Sequence, residues 1–290
     1  MTPRHPSLLV ALSALCLALM SLSTKLAAGY LSGAQISSLR FTLMLALVLG
    51  VPSIRRRAAT FGRWDLLLYR GVFGGTAALL YFLAIAHIPI GLATLLKFTS
   101  PVFSVFFAAI FLGERFEPKL LIPVLAVLAG VPLAAGADVT GPDGFDLGRW
   151  EMAAIGSAIL GGAAVTAVRA ARRTENSWSI FGSFSLFGFL AALPFAALEP
   201  SLSVPPVAWA WILAVGASSI GAQLLMTFAY RWVTNLQAGV IVQLTVVISL
   251  VLGVLVLGER LTLLQTVGSA LTLAGVLGVV ALHAPPRAVA

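Results

Sequence analysis

Phe111-Leu112-Gly113-Glu114-Arg115 and Val256-Leu257-Gly258-Glu259-Arg260 are one turn written twice, 145 positions apart. Each copy follows an apolar span and precedes another. At the same offset Ala93 matches Ala238, Ser104 matches Ser249 and Gly130 matches Gly275 without a gap. Two matching periods in 290 residues indicate a duplication rather than a solenoid array. The repeat therefore sets the frame in which every other segment is read.

Composition says what is being duplicated. Apolar residues make up 60% of the chain and charged residues 10%, and the mean hydropathy is +1.03. A water-facing surface needs far more charge, so the chain reads as an integral membrane protein. Crossing ~30 Å of hydrocarbon takes roughly 20 apolar residues. Such runs fall at about 7–24, 34–51, 66–86, 90–112, 119–136, 150–169, 178–197, 207–229, 234–257 and 262–282. The expected fold is all-α: ten membrane helices in two five-helix repeats, 1–137 and 150–290, joined by a linker at 138–149.

The first run could pass for a signal peptide, but no small-x-small site is followed by a polar mature domain, so it reads as the first span. The single cysteine, Cys16, lies inside that span, and three histidines form no cluster. Disulfides, metal sites and cofactors are therefore not expected.

Five spans per repeat place the second repeat upside down relative to the first. With a cytoplasmic amino terminus, inner segments carry Arg4, Arg55, Arg56, Arg57, Arg63, Arg70, Arg115, Lys119, Arg169, Arg172, Arg173, Arg231 and Arg287. Outer segments carry only Lys25, Arg149 and Arg260. The positive-inside rule thus predicts both termini in the cytoplasm. The net charge of +8 follows from this bias, and its expected partners are anionic inner-leaflet lipids rather than nucleic acid. Asp138, Asp143 and Asp146 gather in the linker on the other side.

Arg40 and Lys97 lie within spans, where an ionisable side chain costs about 2.5–3.5 kcal/mol on insertion scales. Each sits on the order of 10 Å below the outer boundary. Snorkelling to the headgroups is one reading, and the natural one for Lys25. Against it for Lys97 stand its neighbours at helical spacing, Ala93, Ser100, Pro101 and Ser104, which are small or polar. Every Asp and Glu falls in a loop or at a span end, so no intramembrane carboxylate is available as a partner. A cargo bearing a carboxylate would supply one. His87 is the one candidate for proton coupling, and a lone histidine at a helix end reads as structural.

Polar stripes complete the set. Ser219, Gln223, Thr227 and Tyr230 share one face of span eight, while Gln243, Thr245 and Ser249 occupy span nine. Tyr81 and Thr76 lie in span three, Ser157 and Thr166 in span six. Interhelical glue explains such groups singly, at about 0.6 kcal/mol apiece. Gly71, Gly74 and Gly75, and Gly268, Gly275 and Gly278, read as close helix contacts. Glu114 and Glu259 read as turn residues at the positive amino ends of the spans that follow them.

The two Leu-Gly-Glu-Arg turns, Phe98-Thr99-Ser100-Pro101-Val102-Phe103 and Ser38-Leu39-Arg40-Phe41 resemble the drug/metabolite transporter superfamily, in particular its EamA-type ten-helix members. The resemblance covers essentially the whole chain. It departs where Val246 and Val242 stand opposite Pro101 and Lys97. It implies an inverted-repeat bundle, a central cavity lined by spans one, three, four, six, eight and nine, and alternating access. It also implies export of metabolites or amino acids across a bacterial inner membrane.

The expected protein is thus a secondary transporter, not an enzyme, acting as a monomer or weak homodimer. Its expected substrate-binding residues are Lys97, Gln223, Ser100, Ser219, Thr227, Tyr81, Gln243 and Arg40. Import of a vitamin, a nucleotide-like compound or another organic anion is the alternative. A membrane interaction protein without transport is the remote one.

Overall fold

The computed structural model describes residues 6–113, 118–135, 147–172, 174–199, 204–229, 233 and 235–282. Thirteen α-helices run through them: α1 (Pro6–Ala27), α2 (Gly33–Gly50), α3 (Pro52–Ala58), α4 (Trp64–His87), α5 (Ile90–Lys97), α6 (Ser100–Leu112), α7 (Leu121–Ala135), α8 (Arg149–Ala171), α9 (Ser177–Ala197), α10 (Pro206–Ala229), α11 (Asn235–Val242), α12 (Leu244–Leu257) and α13 (Leu263–Leu282). They supply ten segments long and apolar enough to cross a membrane. The short α3 carries Arg55, Arg56 and Arg57 and buries no residue. It marks what is called here the basic face.

Pairing of the spans follows the duplication. Helix α1 packs on α10 as α4 packs on α8, and α2–α9 and α7–α13 are the two pairs that the repeat maps onto themselves. Glycines set how closely these pairs approach. A Cβ on Gly75 of α4 would come within 2.6 Å of the Gly188 Cα of α9, and one on Gly275 of α13 within 2.7 Å of the Pro123 carbonyl of α7. Backbone cannot move aside as a side chain can. Gly75→Ala is therefore expected to cost about 2 kcal/mol through overpacking, read as a lower thermal midpoint in detergent.

The distribution of residue types is inverted relative to a water-soluble domain. Ile110, Ile122 and Leu255 are 72%, 79% and 78% exposed, whereas Ser21, Thr24, Ser37, Thr94, Ser157, Thr245 and Ser249 are buried. Lipid is the solvent that makes such a periphery stable, because hydrocarbon tails solvate leucine as well as a protein core does. The polar groups accordingly converge on the centre.

Two spans differ from the continuous helices expected of them. Span four divides into α5 and α6 at Phe98-Thr99, and span nine into α11 and α12 at Gln243. In span four Pro101 cannot donate to the Lys97 carbonyl. The chain tightens there, with Thr99 N–H donating to the Leu96 carbonyl at 3.2 Å and Val102 N–H to the Thr99 carbonyl at 2.9 Å. The Thr99 hydroxyl also donates to the Leu96 carbonyl, at 2.7 Å. Span nine breaks without a proline: Val246, which stands opposite Pro101, donates to the Gln243 carbonyl three residues back at 3.0 Å. The duplicated architecture, rather than Pro101 alone, places the two breaks.

Arg70 also requires correction. The charge count assigns it to an inner segment, yet it lies within α4, six residues past Trp64, inside a membrane span. Its guanidinium bends toward Gly74, whose missing side chain leaves it room. The turns at Glu114 and Arg115 and the linker aspartates Asp138, Asp143 and Asp146 lie outside the described residues.

Candidate functional site

Lys97 is the last residue of α5, at the break of span four. Its side chain is half-buried and reaches across to α8, where a Cβ on Gly161 would stand 2.7 Å from Nζ and 3.4 Å from the Ser100 Cβ. Among the described residues Lys97 makes no hydrogen bond and meets no carboxylate. Ser100, which opens α6, borders the same space over Gly161.

Gln243 occupies the corresponding break in span nine. It is 3% exposed, and neither its amide oxygen nor its nitrogen meets a hydrogen-bond partner among the described residues. A buried amide left unpaired costs about 1–3 kcal/mol, so native structures rarely keep one without a use. The two breaks lie at similar depth. A Cβ on Gly91 of α5 would come within 3.0 Å of the Leu250 Cα of α12, and one on Gly253 of α12 within 3.3 Å of the Ile90 side chain of α5, so the half-helices run antiparallel. Descending from that contact at ~1.5 Å per residue, Lys97 lies ~10 Å below Ile90 and Gln243 ~15 Å below Gly253.

Arg40 is 7% exposed and held on several sides. Its Nε donates to the Ser219 hydroxyl at 2.6 Å, which brings two of the expected site residues together across 179 positions of sequence. The rings of Phe41, Phe82 and Phe184 lie 4.7, 5.2 and 5.5 Å from its guanidinium carbon. One guanidinium nitrogen is buried with no partner among the described residues. Cation–π contacts of this kind contribute about 0.5–2 kcal/mol each, which lets a buried arginine persist without a carboxylate.

The remaining expected residues divide. Tyr81 is buried with its hydroxyl 2.8 Å from that of Ser21 and 2.9 Å from that of Thr94, so it bolts α4 to α1 and α5. Gln223 is half-buried on α10 and makes no hydrogen bond among the described residues. The Thr227 side chain and Tyr230 lie outside the described residues. Ser157 and Thr166 act as interhelical glue: Ser157 donates to the Ala77 carbonyl at 2.6 Å, and Thr166 to the Ser104 carbonyl at 3.3 Å. His87 stacks on Trp150 with ring centres 3.6 Å apart.

Glu259 does not serve the span that follows it. That span, α13, opens with a reciprocal Thr262–Gln265 cap. Glu259 instead accepts a 2.8 Å hydrogen bond from the Ile90 N–H, at the amino end of α5, 169 positions away. Lys25 donates to the Ile88 carbonyl at 2.9 Å and lies within electrostatic range of the Glu259 carboxylate. These contacts join the two repeats on the face opposite the basic one. Among the residues that sequence reading missed, Arg70 had one local signal, a glycine four positions on at Gly74; Glu259 had none.

The EamA-like transporter family matches residues 6–135 and 148–281. The chain is 29% identical over 166 residues to the pseudopaline exporter CntI of Pseudomonas aeruginosa and spans 57% of that protein's length, with 57% of the present chain aligned. An uncharacterized transporter of Helicobacter pylori is 28% identical over 246 residues, covering 80% of this chain and 79% of that one. Human solute carrier family 35 member G1 is 24% identical over 211 residues, covering 68% and 57%. A solved crystal structure superposes with a TM-score of 0.65 over 96% of both chains at 21% identity, a likeness of fold.

Proposed function

Because the chain belongs to the EamA-like transporter family, we propose that it is a secondary transporter exporting a small carboxylate-bearing metabolite, amino acids included, by alternating access. One observation carries the reading. The breaks of spans four and nine bring to mid-membrane depth a lysine and a glutamine that have no hydrogen-bond partner among the described residues. Irregular backbone within a membrane is tolerated where it lines a cavity, and broken helices commonly form the substrate site of such carriers. Lys97 attracts the carboxylate, and the Gln243 and Gln223 amides orient the remainder.

Export is favoured by the Pseudomonas relative, itself an exporter, and the basic face by the positive-inside rule as the cytoplasmic one, with both termini on it. A bacterial inner membrane is the corresponding location. The contacts among Lys25, Ile88, Ile90 and Glu259 would then close the outer face, so that the cargo enters from the cytoplasm.

Counterflow in proteoliposomes tests the proposal. Vesicles loaded with unlabelled amino acids and organic acids are expected to accumulate the matching labelled compound with saturable kinetics. Exchange restricted to compounds lacking any carboxylate would overturn the substrate class, and no exchange by any compound would overturn the transport reading. Gly161→Ala provides a check on position, because the atom it displaces is the free end of a flexible side chain. It is expected to leave the thermal midpoint unchanged while weakening carboxylate affinity roughly tenfold, about 1.4 kcal/mol.

A further inference from the structure

Lys97 is not alone at its depth. The guanidinium carbons of Arg40 and Arg70 lie 5.5 and 4.2 Å from the centre of one ring, that of Phe184. Lys97 reaches that depth from the end of α5, against Gly161 of α8. On the antiparallel helices α4 and α8, Ser157 bonds the Ala77 carbonyl, and Gly156 faces Leu80. One turn toward the basic face from that contact, α4 presents Gly74, over which the Arg70 guanidinium lies, and α8 presents Gly161, over which the Lys97 ammonium lies. All three cations interact electrostatically with one another.

No carboxylate among the described residues answers them. The acidic residues among the described ones are Asp65 and Glu151, at the starts of α4 and α8, and Glu175, Glu199 and Glu259, in the connections between helices. Aromatic faces hold guanidinium groups in place but leave their charge intact. One Arg40 nitrogen and the Arg70 Nε are also buried without a partner among the described residues. A single carboxylate would leave two of three mutually repelling cations uncompensated in a medium where charge is costly.

We infer that the site takes a cargo with at least two anionic groups, one bound by Lys97 and Gln243 and the other by the Arg40–Arg70 pair beside Phe184. The inference rests on the transport reading and narrows it. Dicarboxylates, acidic amino acids and phosphate monoesters that also carry a carboxylate share the required chemistry. Alanine and acetate lack it.

The test is counterflow of four labelled compounds, succinate, glutamate, 3-phosphoglycerate and alanine, by wild type, Arg70→Gln and Arg70→Lys. In wild type at least one of the first three is expected to exchange at least tenfold faster than alanine, and the favoured compound tells carboxylate from phosphate. Arg70→Gln is expected to narrow that preference to below threefold, while Arg70→Lys restores it. Thermal midpoints in detergent separate loss of preference from loss of fold. Alanine exchanging as fast as the fastest of the other three overturns this inference and leaves the transport reading standing. The same holds for a preference unchanged in a folded Arg70→Gln protein. Failure of all four compounds to exchange overturns this inference, and it overturns the transport reading too when the wider panel of amino acids and organic acids also fails.

Discussion

Lys97→Ala is expected to lower carboxylate exchange about 100-fold while leaving the protein folded. A hundredfold loss is about 2.7 kcal/mol, within the ~2–5 kcal/mol observed when one partner of a buried charged pair is truncated. The fold does not suffer by the same argument. The ammonium has no protein partner to lose among the described residues, and its removal relieves both the cost of holding a charge in the membrane and its repulsion from Arg40 and Arg70. A thermal midpoint equal to or above that of wild type is therefore expected beside the lost exchange. Lys97→Arg keeps the charge and is expected to recover part of the activity. Equal exchange by wild type and Lys97→Ala would reduce Lys97 to a snorkelling side chain.

The second large effect is one of stability and lies at the face opposite the basic one. Glu259→Ala removes the acceptor of the Ile90 N–H, and Pro89 before it offers no side-chain cap to replace it. Hydrogen bonds to a charged group contribute about 1.5–3 kcal/mol, and Lys25 loses its neighbouring carboxylate in the same step. A loss of about 3 kcal/mol is expected, seen as a thermal midpoint lowered by several degrees. Glu259→Gln keeps an acceptor without the charge and should fall between the two. If the alanine variant melts with wild type, the contact between α5 and the second repeat contributes nothing to holding that face together.

Lys97 and Glu259 also show which features were readable before any fold was known. Lys97 was visible because its cost is local: a cation among about twenty apolar residues stands out wherever the span packs. Its small and polar neighbours, Ala93, Ser100 and Ser104, added the direction in which it points. Glu259 could be located but not assigned. Its partner is set by how α12 crosses α5, and the adjacent Gly258, in the left-handed conformation at φ 67°, only turns the chain. Arg70 was counted with the inner segment although the run at 66–86 already holds it, because it stands only four residues inside that run's end; the structure turns its guanidinium to Phe184 instead of the headgroups.

The sequence by itself determined the all-helical membrane class, the ten spans, the duplication and the presence of cations within apolar spans. Each of these depends on residue type summed along the chain, and hydrocarbon enforces it one span at a time. Only the tertiary structure decided that span nine breaks without a proline, that Gln243 is buried with both amide atoms unpaired among the described residues, and that Glu259 caps a helix in the other repeat. It alone brought Arg40 and Arg70 to one ring, that of Phe184, and Lys97 to Gly161 of α8. These facts depend on which faces of distant helices meet. Glycine contacts such as Gly75 on Gly188 set those faces, and no property of either segment alone contains them.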